Sequence, residues 1–184
     1  MIATRVWNAL SPVANIWTFA ALFIVAVLFT RFGFKPQGLH YPEHTLDGRH
    51  FGFWPADVHG ILERFDKAKQ LDTYLEQEWK LDLVFPLIYC GMLAVGIVAV
   101  GNRVHAPHWL IWLPLVTAIA DYVENFNAIW LIRSYQATQT TPDALAKLAA
   151  IASRVKWDGL WLSAIALVWL LACWGIRAMN PTTP

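Results

Sequence analysis

The sequence has few charged residues and few cysteines for its length. Only 15% of its 184 residues are charged and 57% are hydrophobic, whereas an average soluble protein has about 25% charged residues. A chain this apolar is not intrinsically disordered. Its net charge of +1 argues against nucleic-acid binding through bulk positive charge. Two cysteines are too few for a disulfide-stapled scaffold, so the composition points to a membrane protein.

The sequence also lacks the signatures of common soluble chemistry. It contains no glycine-rich phosphate loop, no G-x-S-x-G segment and no paired C-x-x-C. Histidines lie among acidic residues in one stretch, and such mixtures can bind iron or zinc; they are His40, His44, His50 and His59. A proline inside the first pair and the absence of a doubled histidine motif speak against a metal centre. We therefore predict no metal site, and the pattern names no cofactor.

The charges that are present are confined to one part of the chain. Residues 31–82 hold sixteen of the twenty-seven charged side chains, and four long windows elsewhere are almost without charge. A transmembrane helix needs about 17–25 mostly apolar residues. Eight of the eleven tryptophans lie near the ends of these windows, and indole rings favour the head-group level of a bilayer. We predict four spans, at about residues 13–31, 82–101, 109–132 and 157–177.

The prediction is thus a single integral membrane domain, residues 1–184, built as an all-α four-helix transmembrane bundle. Apolar residues recur at helical spacing after Pro55, which predicts an amphipathic surface helix at about residues 56–78 in the first loop. Thr141, Pro142 and Asp143 are typical of a helix start. The last span is therefore expected to begin outside the membrane, within one helix from about residue 142 to 178.

The positions of Lys and Arg near the spans predict the orientation. Six of these cations lie beside loops one and three, and three lie beside the termini or the short second loop. Cytoplasmic loops carry an excess of Lys and Arg. We therefore expect loops one and three in the cytoplasm and both termini outside. The first group is Arg31, Lys35, Lys80, Arg133, Arg154 and Lys156, and the second is Arg5, Arg103 and Arg177.

The third span carries ionisable residues near its midpoint, where each costs at least about 2.5–3.5 kcal/mol on insertion scales. Asp121, Glu124 and Asn125 are spaced i, i+3 and i+4, so they share one helix face, which is expected to meet protein or water rather than lipid. Residues of the second and fourth spans fall in the same half of the bilayer. The predicted site is a one-sided polar cavity. Its candidate acids or bases are Glu124 and Asp121, and its candidate ligand-binding residues are Asp82, Tyr89, Asn125 and Lys156.

The same residues also allow a structural interpretation. Lys156 or Arg133 would neutralise Glu124 or Asp121, Asn125 would bridge helices, and Tyr89 would pack in the core. If these residues line a cavity, we expect the protein to bind a small amphipathic or lipid-like molecule. As an enzyme it would also modify that molecule. Otherwise it is a non-enzymatic accessory or assembly subunit, with lipids, another membrane protein or a second copy as partners. Ion movement is disfavoured because the polar groups reach only one half of the bilayer.

Two segments carry a resemblance to known sequences. Leu81-Asp82-Leu83-Val84-Phe85-Pro86 and Ala120-Asp121-Tyr122-Val123-Glu124-Asn125 resemble segments of uncharacterised four-helix integral membrane proteins of bacteria, with the patterns D-x-x-F-P and D-x-x-E-N. The resemblance covers most of the chain from about Pro55 and includes a lysine near the fourth span. It implies a shared polar centre and a bacterial inner-membrane location, and it implies no particular activity. Likeness to the sterol-isomerase-like membrane proteins is architectural only.

Overall fold

The computed structural model describes residues 2–33, 45, 46, 49 and 52–179. Over those residues the chain is all-helical, with seven α-helices and no strand. A π turn (Phe29–Gly33) extends the second helix and a 3-10 turn (His108–Ile111) precedes the sixth. The helices are α1 (Ile2–Leu10), α2 (Ile16–Leu28), α3 (Asp57–Lys67), α4 (Leu71–Lys80), α5 (Phe85–Val104), α6 (Trp112–Thr138) and α7 (Asp143–Met179).

Three of the described helices are long and apolar enough to cross a membrane: α2 with its π turn, α5 and α7. The sequence predicts a fourth span where α6 lies. Helix α6 has 27 residues but falls outside this set, because Asp121, Glu124 and Asn125 lower the mean hydropathy of its apolar part. Length and composition therefore support a membrane protein, and the four-helix bundle depends on α6.

The predicted spans and the observed helices differ at their ends. Helix α2 begins at Ile16 because the Asn15 side chain accepts hydrogen bonds from the backbone N–H groups of Trp17 and Thr18, both at 3.0 Å. Helix α5 begins three residues later than the predicted second span. Helix α6 continues to Thr138, six residues beyond the predicted third span.

The long last helix is confirmed. Helix α7 has 37 residues, which corresponds to about 55 Å and exceeds the roughly 30 Å hydrocarbon layer. Its first part packs on α3, α4 and the end of α6, whereas its second part packs on α5 and the beginning of α6. It therefore joins an apolar half, of the length and composition that can cross a membrane, to a half that shares a core with α3 and α4.

The second core lies beside the predicted membrane region. Helix α4 packs on α6 and α3 packs on α4, and side chains of α3, α4, the last turns of α6 and the first turns of α7 share one core. The surfaces that meet are apolar and buried. The members of this core include Leu46, Phe53, Val58, Ile61, Leu62, Phe65, Leu71, Tyr74, Ala128, Leu131, Ile132, Tyr135, Ala146, Ala149 and Ala150.

The single amphipathic helix predicted at about 56–78 is wrong, because the structure has two helices. The chain breaks at Lys69, which has a φ of +56°, and the N–H of Gln70 bonds back to the Phe65 carbonyl at 2.8 Å. Phe65 and Tyr74 explain the break. Nine residues apart, they would point in opposite directions on one straight helix, yet their rings pack 4.9 Å apart. The break turns both into the same core.

A further helix that the sequence analysis did not predict closes the opposite end of the bundle. Helix α1 lies against the end of α5 and the 3-10 turn. The ring of Trp7 is buried, stacks on His108 with 4.9 Å between ring centroids, and donates from Nε1 to Asn102 Oδ1 at 2.7 Å. It approaches the backbone of Gly101 so closely that a Cβ there would overlap the indole.

Candidate functional site

The polar stripe of α6 is buried between α5 and α7. Asp121, Glu124 and Asn125 are 4%, 0% and 0% exposed, which confirms that this helix face meets protein. Thr117, one turn earlier, is also fully buried. Its hydroxyl lies where a Cβ on Gly159 would be, so glycine at that position allows α6 and α7 to approach closely.

One lysine lies between the two acids. Lys156 Nζ is 2.5 Å from Glu124 Oε2 and 3.6 Å from Asp121 Oδ1. All three side chains are nearly inaccessible. The ring of Trp157 adds a cation–π contact, with Nζ 5.7 Å from the ring centroid. A buried cation is tolerated here because two carboxylates and an aromatic face replace its water shell.

Helix α5 contributes Tyr89 to the same cluster. The Tyr89 hydroxyl donates to Asp121 Oδ2, and its ring packs on Phe85 with 5.2 Å between centroids. The side chain therefore does both things that the sequence left open, packing and polar contact. Tyr89, Asp121, Glu124 and Lys156 form what we call the polar centre, and they come from three different helices.

Asn125 links α6 to the beginning of α5, so it bridges helices as the structural interpretation expects. Its Nδ2 donates to the backbone carbonyl of Asp82 at 2.5 Å. That carbonyl would normally accept a helical bond from residue 86, but Pro86 has no N–H to donate. The Asn125 side chain supplies the missing donor, which accounts for the pairing of the D-x-x-F-P and D-x-x-E-N segments.

Asp82 is held at the beginning of α5 by contacts with α4 and α6. Its carboxylate accepts a hydrogen bond from Gln77 Nε2 at 3.3 Å, within the turn that joins α4 to α5. The hydroxyl of Tyr122 donates to the neighbouring Leu83 carbonyl at 2.9 Å. These contacts anchor the beginning of α5 to α6. They give Asp82 and Asn125 an anchoring geometry.

A cavity of about 350 Å³ lies between α5, α6 and α7. One end is polar and is formed by Tyr89, Asp121 and Lys156, whereas the remaining walls are apolar. Glu124 does not line it and lies behind Lys156. The apolar lining was not predicted, although Leu160 and Ala164 follow Lys156 at four and eight residues and so share its helix face. The other lining residues are Phe85, Met92, Leu93 and Trp157.

Arg133, the alternative counter-ion, contacts a tryptophan, and the nearby acid Asp158 faces solvent or lipid. The Arg133 guanidinium lies over the exposed ring of Trp79, 5.5 Å from its centroid, whereas Lys156 contacts both acids of the polar centre. Asp158 is exposed, because it lies about 200° around α7 from Lys156.

The histidines give no metal centre in the described part of the chain. His59 is exposed and packs its ring edge-on to Tyr135, with 5.4 Å between centroids. Among residues 2–33, 45, 46, 49 and 52–179 no three His, Cys, Asp or Glu side chains are placed to hold a metal ion. His40, His44 and His50 lie outside the described residues.

Comparison with known proteins adds no assignment to this site. The chain matches no family model, no curated protein and no solved structure. The chemistry of the site is therefore defined by the polar centre and by the cavity that ends on it.

Proposed function

We propose that the protein is a four-helix membrane protein that binds a small amphipathic molecule in the cavity between α5, α6 and α7. The observation that carries the proposal is the cavity itself, whose apolar walls end on Tyr89, Asp121 and Lys156. An amphiphile would place its polar group against these three side chains and its apolar part against the walls. Ligand sites commonly have this composition, mostly apolar with a few convergent polar groups.

The burial pattern of α6 supports its assignment as the fourth span. Its polar residues face α5 and α7, whereas the opposite face is apolar and exposed, with Val116, Ile119, Phe126 and Trp130 between 44% and 61% accessible. A membrane helix places polar groups inward and apolar groups toward lipid. The low mean hydropathy of α6 thus reflects its buried face.

The formal charges of the polar centre define the head group that fits best. Asp121 and Glu124 carry two negative charges when ionised, and Lys156 carries one positive charge, which leaves a net charge of −1. A neutral donor such as a hydroxyl, or a cation such as an amine, would complement that charge. An anionic head group would meet Asp121 directly and is disfavoured.

If the bound molecule is also modified, the geometry distinguishes the two acids. Asp121 lines the cavity and accepts a hydrogen bond from the Tyr89 hydroxyl, so it is the side chain that can act as acid or base on a bound molecule. Glu124 is fully buried and pairs with Lys156. Its role is to position Lys156, and the sequence did not separate these two roles.

Native mass spectrometry of the purified chain, together with a cavity-filling variant, tests the binding proposal. Ala164 lines the cavity, whereas Ala172 is exposed two turns later on the same helix. Wild type and Ala172→Phe should retain the same small molecule, and Ala164→Phe should lose it while it still folds. Retention by Ala164→Phe, or no bound molecule in wild type extracted under mild conditions, would contradict the proposal.

A non-enzymatic accessory role is the second candidate. It is favoured by the pairing within the polar centre, where Lys156, Asp121 and Glu124 already contact one another. Under this candidate Ala164→Phe leaves the phenotype of the host unchanged. Loss of a co-purifying protein from variants of the exposed α6 face, such as Phe126→Ala, would then identify the role.

The topology follows from the four spans and has its own test. Alkaline phosphatase fused at residue 106 or 140 reports opposite sides of the membrane if α6 crosses it. We expect activity at 106 and none at 140, with loops one and three cytoplasmic. Equal activity at both positions would show that α6 does not cross the membrane.

A further inference from the structure

A second cavity lies on the outer face of α7, away from the polar centre. It has a volume of about 350 Å³ and is formed where residues 52–55 cross α7. We propose that this groove binds the phosphate head group of an anionic phospholipid from the surrounding bilayer. The residues that line the groove include Phe53, Trp54, Lys147, Ile151 and Arg154.

The backbone geometry shows that the groove wall is fixed. Gly52 has a φ of +77°, and a Cβ there would lie 3.4 Å from the backbone nitrogen of Arg154. The positive φ and the close approach both favour glycine at this position. Phe53 then enters the core formed with α3 and α4, where it is 6% exposed. The segment is thus tied to α7 on one side and to that core on the other.

Two cations flank an apolar surface in the groove. Lys147 and Arg154 are seven residues apart on α7, so they lie on the same helix face about 10 Å apart along the axis. Ile151 lies between them, 62% exposed, and Trp54 opposite is 74% exposed. In the described part of the chain no carboxylate forms an ion pair with Lys147 or Arg154.

The position of the groove along the bundle matches the head-group layer. Tyr89 lies about 6 Å inside the beginning of α5, and Lys156 is at its level because both contact Asp121. Arg154 and Lys147 precede Lys156 by about 3 Å and 13 Å along α7. The groove therefore covers the level at which α5 enters the bilayer, and head-group layers extend roughly 5–8 Å beyond the hydrocarbon.

Charge and polarity together select the occupant. A phosphodiester with net negative charge complements the two cations. The glycerol and the first acyl carbons of a lipid would cover the exposed indole of Trp54 and the side chain of Ile151. A soluble anion would leave these two side chains uncovered. A zwitterionic lipid offers no net charge to the pair. This inference is independent of the cavity proposed to bind an amphipathic molecule.

The test uses the full chain, purified in detergent and stripped of lipid. Phosphatidylglycerol, phosphatidylcholine and inorganic phosphate are added separately, and native mass spectrometry and the melting temperature are recorded. Wild type should prefer phosphatidylglycerol over phosphatidylcholine by roughly 10- to 30-fold, the effect of two cations near a membrane surface. Lys147→Gln with Arg154→Gln should abolish that preference. Equal binding of both lipids by wild type would overturn the proposal.

Two further variants make the result specific. Arg64→Gln with Lys69→Gln removes two exposed cations outside the groove and should keep the preference. Ile151→Glu places an anion between Lys147 and Arg154 at an exposed position and should lose the preference without unfolding the chain. A preference that survives Ile151→Glu, or a melting shift produced equally well by inorganic phosphate, would also overturn the proposal.

Discussion

At the end of the bundle where α5 begins, the helices meet through buried charged side chains, whereas at the end where α5 finishes they meet through apolar ones. The first end contains the polar centre. The second end contains Trp7, Ile97, Val98, Ile111 and Leu170, each no more than 2% exposed. Apolar packing stabilises helices without a desolvation cost, whereas a buried ion pair adds little net stability and is costly to break. The end that gains least from its contacts is thus the end where a function is expected.

The largest effect should come from removing the one cation of the polar centre. Lys156→Met leaves Asp121 and Glu124 buried without a counter-charge and should lower the free energy of unfolding in detergent by about 3–5 kcal/mol. Lys147→Met removes an exposed cation from the same helix and should change it little. A Lys156→Met protein as stable as wild type would show that neither acid needs a counter-charge, as when both carboxyls are protonated.

The two closely packed glycines provide a direct comparison of the two ends. Gly159→Ala clashes with Thr117 and Gly101→Ala clashes with Trp7, so each should cost about 1–3 kcal/mol. Only Gly159→Ala displaces α7 against α6 beside Lys156, so only it should also reduce retention of the molecule that we propose binds in the cavity. Adding Thr117→Ala should restore stability and retention to Gly159→Ala. Equal loss of the bound molecule in Gly101→Ala would contradict a one-sided site.

An effect no larger than that of the glycine substitutions is expected at the anchor between α6 and the beginning of α5. Asn125→Ala leaves the buried Asp82 carbonyl without its side-chain donor and should cost about 1–3 kcal/mol. Pro86→Ala restores a backbone N–H at the position that would bond to this carbonyl. Asn125→Ala should therefore cost less in the Pro86→Ala background, as a double-mutant cycle of unfolding free energies would measure. An unchanged cost would mean that Asn125 acts through another contact.

A helix boundary could be predicted from the sequence only where the residue types at that boundary are typical of a helix start or end. The start of α7 was predictable because Thr141, Pro142 and Asp143 form a helix-start pattern. The break at Lys69 was not, because lysine gives no sign of a positive φ, and only the shared core of Phe65 and Tyr74 requires it. The α1 helix was missed because it precedes the first charge-free window and contains Arg5, so it did not meet the criterion for a span.

The candidate site was predictable in part for the same reason. The spacing of Asp121, Glu124 and Asn125 placed them on one buried face, and counting residues put Lys156 at the same depth. The choice between Lys156 and Arg133 as counter-ion required the structure, because a long side chain near a helix end reaches either inward or toward the interface. The contact between Asn125 and the Asp82 carbonyl has a sequence signal in Pro86, whose missing N–H leaves that carbonyl without its helical donor.

The smallest effect is expected at an exposed ion pair on α3, which belongs to neither end of the bundle compared above. Lys67 Nζ lies 2.7 Å from Glu63 Oε1 on α3, and this hydrogen bond lowers the pKa of the Glu63 carboxyl. A lowered carboxyl pKa stabilises the fold above its ordinary value of 4.5, and this contribution disappears as the pH falls through the lowered pKa. Glu63→Gln should therefore leave the melting temperature almost unchanged at neutral pH, because both side chains are exposed and solvent screens the pair. It should also remove this small acid dependence without altering the cavity. A loss as large as that of Asn125→Ala would show that the α3–α4 domain, and not the spans, limits the stability of the whole chain.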